Sequence, residues 1–506
     1  MKTTSRREFL DRAGKTMGCA AVGLAIAEHL GFAEALSRLE RERLRFGALD
    51  PLVDLLQETP ADALLPLVVQ KLRGGTALGD VVGAGALANA RAYGGTNYNG
   101  YHTLMAMMPS FEMAPQMPEP YAALPVLKVL HRNARFLQET GRATTDALGP
   151  LGDASRAAGL VEGVHARDLP QAEQSLAALE SESRARAYEE LQAVVRDDMN
   201  VHRVVLSWRA YDLLRLTGGD QAVTLLRQSV RFCIDEDGQR VRRGQEPSEI
   251  RALLPRLMED HGLNGRERGN RAADEASIER LSDTFFSAER ATAAAAAAAA
   301  LAEGIDPEDV GAAMSLAATR LLLHDPGQAQ QAPGKPAGSV HGASVGVHAS
   351  DAANAWRHIA RVGSARNAFA SLIAGAYHTA GQSDHVGAVP HDQDGEPCTK
   401  DDRAALLAEI ESRIRERDQK GACRAARRYD ELGHSPADLF GLLLGFAVSE
   451  DGALHAEKYF RTAQDEHSSA RPAHRGLYLV ALTRVMASHF GFPAPGCAEA
   501  KELLSA

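Results

Sequence analysis

Imidazole is the side chain to follow in this sequence, because it holds eighteen histidines and several of them open an otherwise apolar helical stretch. His102 follows a polar, glycine-containing lead in NYNGYHTLMAMM, and His202 has Asp197, Asp198 and Asn200 before it and VVLSW just after it. His341 and His348 stand together in HGASVGVHASDAANAW, and His455 lies in DGALHAEKYF between Asp451 and Lys458. A neutral imidazole is the commonest transition-metal ligand, and a carboxylate or carbonyl on its second nitrogen orients it. Helical bundles build metal sites from side chains on facing helices. Convergence of His102, His202, His455 and either His348 or His341 would therefore make a metal centre. His348 is the better third member, since HASDAANAW runs directly into a helix whereas Gly342 and Gly346 follow His341. On an unbroken helix Asp451, His455 and Lys458 share one face, which makes Asp451 a candidate to orient the site. Tyr101, Trp208 and Trp356 are candidate pocket-lining groups. The competing reading is that each histidine is a cap partner or a packing residue. His358, His378, His385, His391, His467, His474 and His489 read as surface residues.

Other chemistries lack their residues. GxxxxGK[ST], GxSxG, HExxH and the strand-turn-helix glycine fingerprint do not occur. The five cysteines form no CxxC, which disfavours a zinc ribbon, an iron-sulfur centre and a covalently attached haem, although haem held by two histidines stays open. The net charge is −10 and no basic block with interleaved aromatics occurs, so nucleic acid is not an expected partner. An imidazole site suits a first-row divalent metal such as Fe(II), with Mn(II), Cu(II) or Zn(II) as alternatives.

The elements that must position these residues read as helices. Aromatics make up only 5% of the chain, and the β-branched runs are short and embedded in Leu, Ala, Arg and Glu. The fold class expected is all-α, a multi-helix bundle or irregular helical array. Residues 35–75 read as helices broken at Asp50-Pro51 and Thr59-Pro60, residues 79–102 as a glycine-rich connection, and residues 201–234 as two helices joined by TGGD. Ala293 to Ala300 reads as a buried helix, since alanine is the best helix former and packs closely. Loops or insertions are expected near 235–275, 325–340 and 381–403, the first of them readable also as a surface helix pair. No repeat period survives counting, so residues 35–506 are expected to form a single large domain.

Residues 1–34 differ from the rest. Arg6 and Arg7 sit in SRREFL ahead of a weakly hydrophobic Gly/Ala-rich stretch from Met17 to Ala27. This resembles a twin-arginine signal, which implies the twin-arginine translocase as a partner during export and a periplasmic or extracellular location. No stretch reaches the length and apolarity of a membrane span.

Well-separated histidines on long helices, ending in H-x-x-K-Y at His455, Lys458 and Tyr459, resemble the questin oxidase-like family, which includes fungal enzymes that open anthraquinone rings oxidatively. The resemblance is one of order and wide spacing. It implies an all-α fold and a non-haem iron held by His102, His202, His348 and His455, with Lys458, carboxylated by carbon dioxide, as an oxygen ligand. The activity it implies is dioxygen-dependent oxidation or ring cleavage of an aromatic or polyketide-like small molecule. The alternative is a helical scaffold or binding protein without catalysis.

Overall fold

Short breaks between amphipathic runs fold as the sequence suggests, into helices joined by tight turns. The computed structural model describes residues 44–93, 98–139, 148, 159–331, 336–340, 344–383 and 386–506. Among them the regular structure is all helical, apart from two isolated β-bridges, Arg271–Ile305 and Glu450–Pro493. The export segment, 1–34, and His341 and His385 lie outside the described residues. Most buried apolar side chains from Leu44 to Ala500 join in one contiguous core, with Ala92 and Leu137 in a small cluster of their own. No described helix is long and apolar enough to cross a membrane.

Nine helices frame the centre: α1 (Leu78–Tyr93), α2 (Tyr98–Met113), α3 (Leu124–Glu139), α4 (Val201–Asp212), α5 (Ala222–Arg242), α6 (Pro307–His324), α7 (Gly346–Val362), α8 (Ala365–Ala380) and α9 (His455–Ser469). Four of them close a ring, with α2 packed on α4, α4 on α7, α7 on α9 and α9 on α2. The helix Arg290–Ala302 carries the alanine run with Ala293, Ala294, Ala297 and Ala298 fully buried, and it packs on α8. Gly218, at φ +80°, makes the TGGD break between α4 and α5.

Three expectations are corrected. Most of the glycine-rich connection is the helix α1, whose glycines permit close contacts. A Cβ on Gly85 would stand 2.5 Å from Leu130 Cδ2 of α3. The polar stretch 235–275 is partly helical, since α5 runs to Arg242 and a further helix spans Ile250–Asp260. His378 and His489 are core residues, 4% and 1% exposed, because α8 and the helix Pro472–His489 lie inside the packing.

His378 shows what such burial does. Its Nδ1 accepts from Trp356 Nε1 (3.3 Å), and burial lowers its pKa from 6.5 to about 4. The unfolded chain takes up this proton at higher pH than the folded one, so the contribution is complete above pH 6.5 and is lost as pH falls toward about 4. Its full size is on the order of 3 kcal/mol. Urea unfolding of His378→Leu beside wild type should show a stability gap that narrows as pH drops through this window; a constant gap would refute it.

Gly346 sets the start of α7. Its N–H donates to Asp325 Oδ2 (2.8 Å), and a Cβ there would meet Leu322 Cα of α6 at 2.6 Å. Backbone cannot rotate away as a side chain can. Gly346→Ala is expected to cost about 1–3 kcal/mol in denaturant unfolding by pushing α7 off α6, and an unchanged midpoint would contradict that.

Candidate metal centre

Each of the four ring-forming helices brings one histidine in its first turns to the middle. On α2, His102 is placed through its neighbour Thr103, whose hydroxyl donates to Asn133 Oδ1 of α3 (2.8 Å). Asn89 of α1 donates to Gly100 O, Thr103 Oγ1 and Asn133 Oδ1 at 2.7–2.9 Å, so α2 is pinned beside His102 from two sides. On α4, Asn200 is the N-cap and its Oδ1 accepts from the His202 backbone N–H (2.8 Å). On α9, three successive left-handed residues, Gly452, Ala453 and Leu454, end in His455. Left-handed backbone at the two non-glycine positions is strained by roughly 1–2 kcal/mol per residue. A buried pair, Lys128 of α3 with Glu457, fixes this turn, and Lys128 Nζ also donates to Ala447 O (2.9 Å).

The rings form a closed loop. Centroids lie 4.8 Å apart for His102 and His202, 5.5 Å for His202 and His348, 5.2 Å for His348 and His455, and 5.4 Å for His455 and His102. Nε2 of His202 is 3.2 Å from Nε2 of His102, and Nε2 of His348 is 3.1 Å from Nε2 of His455. Two metal–nitrogen bonds of about 2.0–2.1 Å set their nitrogens roughly 2.9 Å apart at a right angle and 3.4 Å apart at a tetrahedral one. The observed separations fall between these limits.

The outer nitrogens decide the tautomers of two rings. The Asn200 oxygen that accepts from a backbone N–H is 3.2 Å from His202 Nδ1, so Nδ1 is the donor there. His455 Nδ1 lies 3.1 Å from Ala453 O, which can only accept. In neutral imidazoles the Nε2 atoms of His202 and His455 therefore present lone pairs inward. A cation at the centre satisfies both. Burial, with His102, His348 and Lys458 nearby, holds the His202 pKa well below its ordinary value, so this ring is neutral.

Lys458 follows His455 by three positions and Asp351 follows His348 by three, so α7 and α9 each add a charged type beyond the histidine. Lys458 is 3% exposed and Asp351 4%, and Asp351 Oδ1 accepts from Thr462 Oγ1 (2.9 Å). Burial lowers the Lys458 amine to about 8 and raises the Asp351 carboxyl, so it drives both toward their neutral forms.

The other expected site residues sit differently. Asp451 is not on the His455 face, because the left-handed turn 452–454 separates it from α9; it pairs with Arg132 (3.2 Å). Tyr101 is buried edge-on to Phe232 (5.1 Å), whose ring is tilted against His202 (6.5 Å). Trp208 stacks on His358 (4.5 Å, 5°), and His358 Nε2 meets Asp465 Oδ2 (3.2 Å). Trp356 faces His378 through its indole N–H. Asp351 and the Lys128–Glu457 pair were not singled out from the sequence; the HASD spacing carried a signal for Asp351, whereas Lys128 is distant along the chain.

A second grouping of ligand types, Glu275, Glu279 and His474, differs in kind. Its carboxylates are about half exposed and stand 3.5–3.9 Å from His474 Nε2, an ordinary surface ion pair. Comparisons with protein-family models, curated proteins and solved structures find no match to this chain.

Proposed function

We propose that the protein is an exported non-haem-iron oxidoreductase whose metal is held by His102, His202, His348 and His455. The observation that carries this reading is the closed loop of four imidazoles, those of His102, His202 and His455 buried and that of His348 half-buried, with the Nε2 lone pairs of His202 and His455 fixed inward by Asn200 and Ala453. Chance packing supplies no reason for four separate helices to present imidazoles in one closed loop. Imidazole donors with one oxygen suit iron, as they suit copper or zinc, and the resemblance to the questin oxidase-like family selects iron among them. Haem fits this site poorly. The four imidazoles close on one another, with Nε2 atoms 3.2 Å apart for His202 and His102 and 3.1 Å apart for His348 and His455, and a porphyrin would need the space between them.

Bound iron supplies the one-electron chemistry by which dioxygen reacts with an electron-rich ring or enol. The chain holds His202 as a neutral donor, turns Nδ1 of His455 outward onto Ala453 O, and keeps bulk water from a centre whose histidines on α2, α4 and α9 are 9%, 5% and 2% exposed. Lys458, as its carbamate, is the oxygen donor. An ammonium there would repel a metal dication, whereas a carbamate would partly neutralise it. Aromatic or polyketide-like phenols are the substrate class, by resemblance to the questin oxidase-like family. The export reading rests on Arg6-Arg7 and the apolar stretch after them.

The test is oxygen uptake by iron-loaded protein over a panel of hydroxylated aromatic compounds. Turnover of at least one, lost on removing the iron, is the expected result. Iron-loaded protein that consumes no oxygen with any of them would sink the oxidase reading while leaving the metal centre standing.

A further inference from the structure

We infer that Glu236 is a positioning residue for the central site, acting through the Asn200 amide to hold His202 in its Nδ1–H tautomer; the inference rests on the metal reading above. Asn200 has one side-chain oxygen and one side-chain nitrogen, and their placement decides what His202 can do. The oxygen receives the His202 backbone N–H and faces the ring Nδ1. The nitrogen donates to Glu236 Oε1 of α5 (2.5 Å). Turning the amide over would set the nitrogen against the backbone N–H and the oxygen against the carboxyl oxygen, losing both bonds at once. With the amide in its observed sense, the ring must donate through Nδ1 and keep its Nε2 lone pair for the centre.

The register that makes this contact is fixed by the very next residues. Arg203, 1% exposed, donates to Asp237 Oδ1 (3.0 Å) and to Val194 O (2.8 Å). Adjacent residues on α4, His202 and Arg203, are thus served by adjacent residues on α5, Glu236 and Asp237. The Arg203–Asp237 pair locks the two helices, and Glu236 reaches the N-cap from a helix that supplies no ligand. An N-cap alone needs only the Asn200 oxygen, so the bond on its nitrogen has no capping role.

The acceptor oxygen of Glu236, rather than its charge, performs this role, so glutamine should replace it and alanine should not. Co(II) is the probe, because its visible bands report nitrogen coordination and its affinity can be read by chelator competition. Wild type should bind about one Co(II) per chain, Glu236→Ala should bind about 10–100-fold more weakly, and Glu236→Gln should stay close to wild type. The metal-free proteins give an independent reading: nitrogen NMR of labelled histidine should show His202 protonated on Nδ1 in wild type and Glu236→Gln, with a mixture of tautomers in Glu236→Ala. The Arg203–Asp237 pair remains in both variants, so folding is checked simply by circular dichroism. Wild-type Co(II) affinity in Glu236→Ala, an unchanged tautomer, or equal losses in the alanine and glutamine variants would overturn the inference. Failure of wild type itself to bind Co(II), with the tautomer shift still present, would overturn the metal reading and not the relay.

Discussion

His202→Ala or His455→Ala is expected to take the bound iron from about one equivalent per chain to under about a tenth after dialysis against a weak chelator. Each variant removes a donor whose lone pair an outer hydrogen bond fixes inward, His202 through Asn200 and His455 through Ala453. Disturbing only the outer partner of a ligand costs about 10–100-fold in affinity, so removing the ligand itself should cost more. His348→Ala should behave alike, whereas His341→Ala and His474→Ala should keep the iron. The two controls separate loss of a ligand from loss of any histidine. Metal content by elemental analysis, with circular dichroism to check folding, gives the answer; iron retained at wild-type level by His202→Ala and His455→Ala would remove those rings from the ligand set.

Lys458→Met should weaken metal binding by about 10–100-fold, and in wild type the reconstituted metal content should depend on carbon dioxide. In a carbamate, the amine lone pair forms a bond to the carbon of carbon dioxide, one carbon–oxygen π pair becomes the carboxylate charge, and the nitrogen proton is lost to solvent. The reaction needs the neutral amine. Burial brings the Lys458 pKa from 10.5 to about 8, so the neutral fraction near neutral pH is far larger than for a surface lysine. Reconstitution in buffer stripped of carbon dioxide should give poorly loaded protein, and added bicarbonate should restore loading in wild type but not in Lys458→Met. Equal loading with and without bicarbonate would show that Lys458 is not carboxylated in the loaded protein.

Helix class was legible because Leu, Ala, Glu and Arg outnumber strand formers and because Asp-Pro, Thr-Pro and Gly-Gly pairs mark the breaks. The histidines at helix starts were legible for a related reason: a polar lead such as DDMN before an apolar run marks both the N-terminus and the residue that will sit at the end of the core. Hidden from the sequence was everything that depends on close approach between distant segments. Gly79, Gly83 and Gly85 suggested a connection between helices, yet they allow α1 to lie against neighbouring side chains. Asp451 looked like a partner on the His455 face because nothing in DGALH announces two non-glycine residues in left-handed backbone. His378 and His489 read as surface residues because a polar side chain in isolation gives no sign of what its helix packs against. Lys128 and Glu457, far apart in sequence, show the same limit: only the fold brings them together as one buried pair.

The most direct measurement is anomalous diffraction from crystals of the iron-loaded protein, with data on both sides of the iron absorption edge. The account predicts one strong peak enclosed by His102, His202, His348 and His455, within about 2.0–2.2 Å of their Nε2 atoms. A centre without that peak, in which His102 and His348 donate N–H to the lone pairs of His202 and His455 as two separate hydrogen bonds, would contradict it.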